Sequence, residues 1–578
     1  MLAKFSEKRM HQIRWTLTIG WLILIFSFFF DPISSVLTNP DNLSSPIRLR
    51  PEIFLDPAKC VKVQGECLPE QAYPISARLW WAVIVPSAIF ILLVFGHEFW
   101  RRICPLSFLS QIPRALGLQR KRKVVDSVTG SVRYELVTIG ENSWLGRNHL
   151  FVQFGLFFLG LVARILFVNS DRTVLGLFLI FTILSAIAVG YLYAGKSWCN
   201  YFCPMAPVQM VYNGPRAILG SQAHQQKPGI SQSMCRFVDP QGQEKSACVA
   251  CKSPCIDIDA EKSYWEELKK PGRKLVQYGY FGIMYAFYFY YFLYAGNWDY
   301  YFSGAWTHEE SQLATIFSPG FYLFDRAIPI PKLFAVPLTF AFFIGFAYLV
   351  GVKLEKAYRY YRHRSDRPVS SQQAQHIIFT FSTVVSFWVF FSFGGRPNLN
   401  LLPTSVLLAF NGLIFLVGFL WFYQTLNRTS EQYSREVLAI RLQKQLKKLD
   451  LNFSQFLEGR ALEDLNPDEI YVLAKVLPGF THQYRLRVYT GVLKEALEQR
   501  SVTPDKSLIA FQTLRTELGI SDREHEEIID ELLANNLDLI SPYSSQISDA
   551  EVTIRRPNSI TDAESTIVFS SRKRQPKK

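Results

Sequence analysis

Residues 174–195 read VLGLFLIFTILSAIAVGYLYAG, and residues 196–212 continue KSWCNYFCPMAPVQMVY. No Asp, Glu, Lys or Arg interrupts the first stretch. As a helix rising 1.5 Å per residue it reaches across the roughly 30 Å hydrocarbon core of a bilayer. A helix also satisfies every backbone N–H and C=O within lipid, which an open strand does not. This run therefore sets the expected fold class, an all-α integral membrane protein. Seven more runs of the same kind lie at 13–30, 77–96, 149–168, 275–295, 333–351, 376–393 and 402–423. The expectation is eight spans.

Composition agrees with a membrane part diluted by a soluble part. Of 578 residues, 49% are hydrophobic and 15% aromatic, while mean hydropathy is only +0.09. The net charge of +14 raises nucleic acid as a partner, but the placement of the charge argues against it. Lys and Arg gather in "RRICP", "QRKRK", "KLEKAYRYYRHR" and the C-terminal tail, whereas "NSDRT" and "GGRPNLNLLP" carry few. Alternate loops are thus basic, which places them, and both termini, on the cytoplasmic side. The first run follows Lys4, Lys8, Arg9 and Arg14 and is followed by no small-x-small cleavage site, so it reads as a retained anchor. The expected division is 1–76 anchor and outer loop, 77–275 membrane core with a cysteine loop at 196–274, 276–424 the remaining spans, 430–543 a soluble helical domain, and 544–578 a disordered tail.

The nine cysteines divide by compartment. Cys60 and Cys67 fall in the outer loop, where oxidising conditions would let them pair; two separate thiols are the alternative. Cys104, Cys199, Cys203, Cys235, Cys248, Cys251 and Cys255 fall on the cytoplasmic side, where disulfides do not persist and clustered thiols point to metal or redox work. In "SACVACKSPCIDIDA" the spacing Cys248-x2-Cys251-x3-Cys255 matches the last three ligands of the bacterial ferredoxin pattern C-x2-C-x2-C-x3-C-P. Lys245 stands where the first cysteine would be, and Ile256 replaces the proline. A structural zinc site is the competing reading of such a triplet. Cys199 and Cys203, four apart at the end of a span and followed by the helix-breaking Pro204, would add thiolates at the membrane surface.

"KSWCNYFCPMAPVQM" resembles the G-x-x-W-C-x-x-x-C-P segment of membrane-bound polyferredoxins. That family includes quinol-dehydrogenase subunits of periplasmic nitrate reductase systems, nitrous oxide reductase regulators and cytochrome-oxidase accessory ferredoxins. "GHEFWRRICPLSFL" resembles the first of that family's two such segments, with Gly96, Cys104 and Pro105 in register and Trp100 in place of the first cysteine. "CIDIDAEKSYWEEL" is similar to the stretch that closes the ferredoxin motif. The resemblance covers roughly residues 77–267 and implies [4Fe–4S] chemistry in a bacterial inner membrane or another energy-transducing membrane. Two all-cysteine clusters need about eight thiolates, and seven are on this side, so the expectation is one cluster rather than two. Cys235 is a candidate for the extra ligand of the triplet; the fourth ligand is not assigned by sequence.

Other polar residues carry weaker readings. His97 and His149, at cytoplasmic ends of spans, are candidates for quinone or haem contact, with interfacial anchoring as the plain alternative. Glu98, Arg101 and Arg147 would form a polar pocket beside them, and Arg164 would snorkel to the outer interface. Seven tyrosines between Tyr278 and Tyr294 suggest aromatic packing before redox work. Met205 and Met210 keep Cu(I) handling open. No nucleotide-binding or hydrolase motif is visible. In the tail, Asn466-Pro467 with Glu469, and Ser521 before "DREHEEIIDELL", read as helix starts; the "REHEE" stretch reads as a solvated face before a metal site. The leading expectation is a membrane-bound iron–sulfur electron-transfer protein, possible as a quinol-linked oxidoreductase component. Its partners would be lipid, a quinone, a redox protein and a protein partner of the helical tail. The alternatives are a Cu/Zn-handling membrane protein and a receptor or scaffold acting through that tail.

Overall fold

The computed structural model describes residues 6–534 except 40, 46, 49–59, 69–73, 126–130, 170, 221–234, 308–311, 367, 400–402, 450–452, 454–456, 458, 478 and 499–503. The expected disordered tail, 544–578, lies outside the described residues. The long helices follow one another as α1 (Glu7–Phe29), α2 (Ile75–Val94), α3 (Trp144–Val168), α4 (Arg172–Leu192), α5 (Arg273–Ala295), α6 (Lys332–Arg364), α7 (Ser371–Phe393) and α8 (Thr404–Leu426). Seven of them, all but α5, are long and apolar enough to cross a membrane. The described strands are short and make four two-stranded antiparallel hairpins, one of which, Lys121–Val125 with Val132–Leu136, occupies part of the basic stretch expected to be a loop.

The exception, α5, is explained by where it sits. Sixteen of its 23 residues are buried, against five of 23 in α8. A helix enclosed by protein can carry tyrosines, Arg273 and Gln277, because neighbours satisfy their polar atoms, whereas a lipid-facing helix cannot. Gln277 donates to Ser382 at 3.0 Å and Thr383 at 2.9 Å, and the Tyr280 hydroxyl donates to that of Tyr212 at 2.9 Å. Gly282 lets α6 approach closely: a Cβ there would lie 2.3 Å from the Phe343 carbonyl oxygen, the small-residue contact usual between membrane helices.

Two expectations are corrected. The basic segment "KLEKAYRYYRHR", expected to be a loop, is the C-terminal part of α6. No Gly or Pro interrupts it, so the 33-residue helix, about 50 Å long, continues past the apolar stretch. Arg164 does not reach for the outer interface. Its guanidinium lies 3.7 Å from the Trp81 ring centre and 4.5 Å from that of Phe287, and its Nε donates to Asn169 at 3.0 Å. Aromatic faces stabilise a desolvated cation in place of water.

The chain divides into two compact units, 1–437 and 438–578. The second is helical over most of its described residues and has its own core. Leu438, Ala439, Leu442 and Leu446 of helix Ser430–Leu446 are buried with Ile470, Leu473 and Ala474 of helix Pro467–Val476 and with Tyr489, Val492 and Leu493 of helix His482–Glu498. Asn466 Oδ1 accepts from the Glu469 amide at 2.9 Å, and the Glu469 carboxylate accepts from the Asn466 amide at 2.8 Å. That reciprocal cap fixes the helix start.

Candidate metal centre

Two similar chain paths lead into the site. After α2, Gly96 takes φ +83°, the short helix Gly96–Ile103 follows, and Cys104 with Pro105 turns the chain. After α4, Gly195 takes φ +73°, a single π-helical turn Trp198–Phe202 follows, and Cys203 with Pro204 turns the chain. Both glycines sit in the left-handed region that a side chain disfavours. Gly195 is also in contact with the cysteines: a Cβ there would lie 2.6 Å from Cys251 Cβ and 2.8 Å from its Sγ.

The thiols fall into two neighbouring groups. In the first, Cys199 Sγ lies 3.5 Å from Ser107 Oγ in the turn after Cys104, and Cys199 and Cys203 share one buried apolar cluster with Met210. Burial raises the Cys104 thiol to about 11, and the Cys199 thiol adds to the effect; burial, then Cys199 and Cys104, raise Cys203 further. The second group is assembled by a hairpin. Strand Arg236–Val238 pairs with Glu244–Ser246, and the Ala247 amide donates to the Cys235 carbonyl at 2.9 Å. The two ends of the hairpin thus bring Cys235 beside the Cys248 segment. Burial raises Cys251 to about 11 against a hydrogen bond from the Lys196 amide, with Cys235, Asp257 and Cys248 pushing the same way as burial. Burial, then Asp257 and Cys251, raise Cys255 to about 12. Cys248 is the exposed member.

Arg101 joins the groups. It is 3% exposed, and its guanidinium donates to the Cys199 carbonyl at 3.2 Å, Asn200 Oδ1 at 2.9 Å, Asp257 at 3.0 Å and Gln209 at 3.2 Å. Asn200 in turn donates to Cys251 Sγ at 3.5 Å, and the Tyr201 hydroxyl donates to the Cys251 carbonyl at 3.0 Å. Burial pushes the Asp257 carboxyl up, but Arg101, Lys196 and His97 outweigh it and hold the group down at about 2. Lys252, next to Cys251, is paired with Glu267 at 2.9 Å with both side chains buried.

The predicted residues are placed unequally. His97 is fully buried and its Nε2 faces the Ile256 carbonyl, beside Cys255; burial and Arg101 lower its pKa to about 4, so it is neutral at pH 7. His149 is also buried, with Nδ1 2.8 Å from the Gly146 carbonyl and its ring 5.6 Å from Tyr201. Neither is an exposed interfacial anchor. Arg147 is exposed, whereas Arg101 is buried and works with Asp257. Met205 and Met210 pack into the apolar clusters around Cys199 and Cys203. In the segment between α1 and α2, Cys60 and Cys67 are joined by a disulfide with Cα atoms 5.6 Å apart. Sequence reasoning missed Lys196, Asn200 and Asp257. Their sole signal was a position within three residues of a cysteine, which many unrelated residues share.

Among the described residues, no three His, Cys, Asp or Glu side chains stand close enough to share one metal ion. Two buried donors near the thiols have no hydrogen-bond partner among the described residues: Lys196 Nζ and Trp198 Nε1. The nearest anion to the Lys196 ammonium is Asp257, at 3.8 Å. A buried donor with no acceptor costs about 1–3 kcal/mol, more when charged, so these atoms fit a group rich in acceptor atoms and negative charge. A thiolate-bound iron–sulfur group has both, and the donor set is compatible with one. No protein-family model matches the chain, no curated protein matches it, and no solved structure matches it.

Proposed function

We propose that this is an eight-span membrane protein, with α5 as the enclosed span, that carries one [4Fe–4S] cluster at its cytoplasmic face. In this reading it passes electrons between a quinol or cytoplasmic donor and a partner redox protein. The observation that carries the reading is the hairpin that brings Cys235 beside the segment of Cys248, Cys251 and Cys255, near the buried Lys196 Nζ and Trp198 Nε1, which lack hydrogen bonds. Cys104, Cys199 and Cys203 fall one short of an all-cysteine set and would line the membrane side of the site.

When bound, such a cluster takes up and releases one electron at a time. The protein supplies the rest. Burial of Cys251 and the Gly195 backbone against it exclude water from one side. Asn200 donates to Cys251 Sγ, and Arg101 and Lys196 place positive charge near the thiolates; both favour the reduced, more negative state. Exposed Cys248 marks the edge nearest a soluble partner. The outer disulfide agrees with the orientation taken from the basic loops, because disulfides persist in oxidising compartments.

Anaerobic purification in detergent tests the proposal, with iron, acid-labile sulfide, zinc and copper counted per chain beside an absorption spectrum. About four irons and four sulfides, lost in Cys235→Ser and Cys251→Ser, are expected. Zinc or copper without iron would replace this reading with metal handling. A chain with no metal would move attention to the helical unit.

A further inference from the structure

The short helix Ala260–Glu267 begins just after Cys255 and is fastened on two sides. Toward the cysteines, the Cys255 carbonyl accepts from the amides of Ile258 and Asp259, both at 3.0 Å, and Lys252 holds Glu267. The other side is held by the segment that leaves α8. Asp259 divides its carboxylate: Oδ1 accepts from the Lys262 amide at 3.0 Å, and Oδ2 accepts from the Tyr433 hydroxyl at 2.7 Å. Glu261 accepts from Arg428 at 2.7 and 3.2 Å, and the same guanidinium donates to both oxygens of Glu436. The Tyr264 hydroxyl meets His376 Nδ1 at 2.9 Å, and His376 Nε2 lies 3.0 Å from the Thr425 carbonyl.

Eight residues do not make a stable helix alone, so these fasteners set where the helix lies. The Arg428 fork between two carboxylates is a strong, directional pair of contacts. Removing it would leave buried Glu261, 4% exposed, without its ion-pair hydrogen bonds and held by the Trp265 indole N–H at 3.2 Å and the charge of Arg216, at a cost in stability. Tyr433 and Glu436 belong to the first turns of helix Ser430–Leu446, and the later turns of that helix supply Leu438, Ala439, Leu442 and Leu446 to the core of the second unit.

We propose that helix Ala260–Glu267 couples the metal state of Cys248, Cys251 and Cys255 to helix Ser430–Leu446, the lead-in to the C-terminal unit. The inference rests on the iron–sulfur reading above. Loaded thiols hold the loop, the loop holds the short helix, and the short helix holds Arg428 and Tyr433. Loss of the metal frees the loop and releases those contacts. By linkage, breaking the contacts must weaken metal retention by the same factor.

Hydrogen exchange on the full chain in detergent, iron-loaded against chelator-stripped, tests this. Amides of 430–437 are expected to exchange about tenfold faster after stripping, with those of α5 unchanged. Equal exchange in the two forms would overturn the proposal. The double variant Arg428→Gln, Tyr433→Phe is expected to show the fast exchange in both forms and to give up half its iron at about tenfold lower chelator concentration at equilibrium. If the purified chain holds no iron, the iron–sulfur reading fails, and the coupling is then read by maleimide labelling of Cys248 and Cys255. Faster labelling in the double variant than in the parent would keep the mechanical link; equal rates would sink it.

Discussion

At the residue scale, the site depends on atoms whose neighbours leave no slack. Gly195 has both a left-handed backbone and Cys251 against its Cα. Gly195→Ala is therefore expected to abolish metal retention while the chain still inserts; wild-type iron content in that variant would show the contact to be dispensable. Arg101 is a positioning group for both thiol clusters, and replacing such outer partners lowers metal affinity about 10–100-fold. Arg101→Lys keeps the charge but loses the fork that reaches Cys199, Asn200 and Asp257 together. Competition with a chelator should place this variant near Arg101→Ala; parity with the parent would mean that charge alone matters. His97 gives a pH signature. Its folded pKa, about 4, is below the ordinary 6.5, so between those values the unfolded chain takes up a proton that the folded site refuses. Stability is then complete above pH 6.5 and falls as pH drops to about 4, by about 3 kcal/mol. Thermal unfolding in detergent across this window should show the slope in the parent and a reduced slope in His97→Gln.

At the element scale, helix α5 shows how burial overrides hydropathy. Its tyrosines make it less apolar than its neighbours, yet its polar atoms are satisfied inside the bundle. Gly282 marks the closest approach to α6, where a Cβ would strike the Phe343 carbonyl. Gly282→Val would push those helices apart and is expected to cost about 1–3 kcal/mol, read as a lower detergent melting temperature. An unchanged melting temperature would mean that α6 yields freely there. The hairpin 236–246 is the element that decides the composition of the second thiol group, because its register sets Cys235 beside Ala247. Runs 13–30, 77–96, 149–168, 174–195, 333–351, 376–393 and 402–423 were legible as helices, since uninterrupted apolar length is a strong signal. The helical end of α6 was not, because charge alone does not separate a basic loop from a helix extending beyond the apolar stretch.

At the scale of the molecule, the two units make separable demands on the chain. The core of residues 438–532 is built from its own leucines, isoleucines and aromatics, and the cysteines all precede residue 256. A chain ended after Val437 retains Arg428, Tyr433 and Glu436. It is expected to hold as much metal per chain as the full protein, measured after the same purification. Loss of metal on that truncation would assign the second unit a part in holding the site.

Sequence by itself determined the membrane class, most helix positions and the division between apolar bundle and charged tail. These follow from local quantities: apolar run length, the spacing of charges and capping residues such as Asn466 with Glu469. It also singled out the cysteines, since the short spacings of Cys248, Cys251 and Cys255 let neighbouring thiolates converge on one inorganic core. Only the tertiary structure decided which thiols are neighbours, because Cys104 is separated from Cys199 by two long helices and Cys235 from Cys248 by a hairpin. It alone decided that Arg101 pairs with Asp257, that α5 is enclosed, and that Tyr433 returns to Asp259. Contacts between residues far apart in the chain depend on how whole elements pack, and no local pattern records that packing.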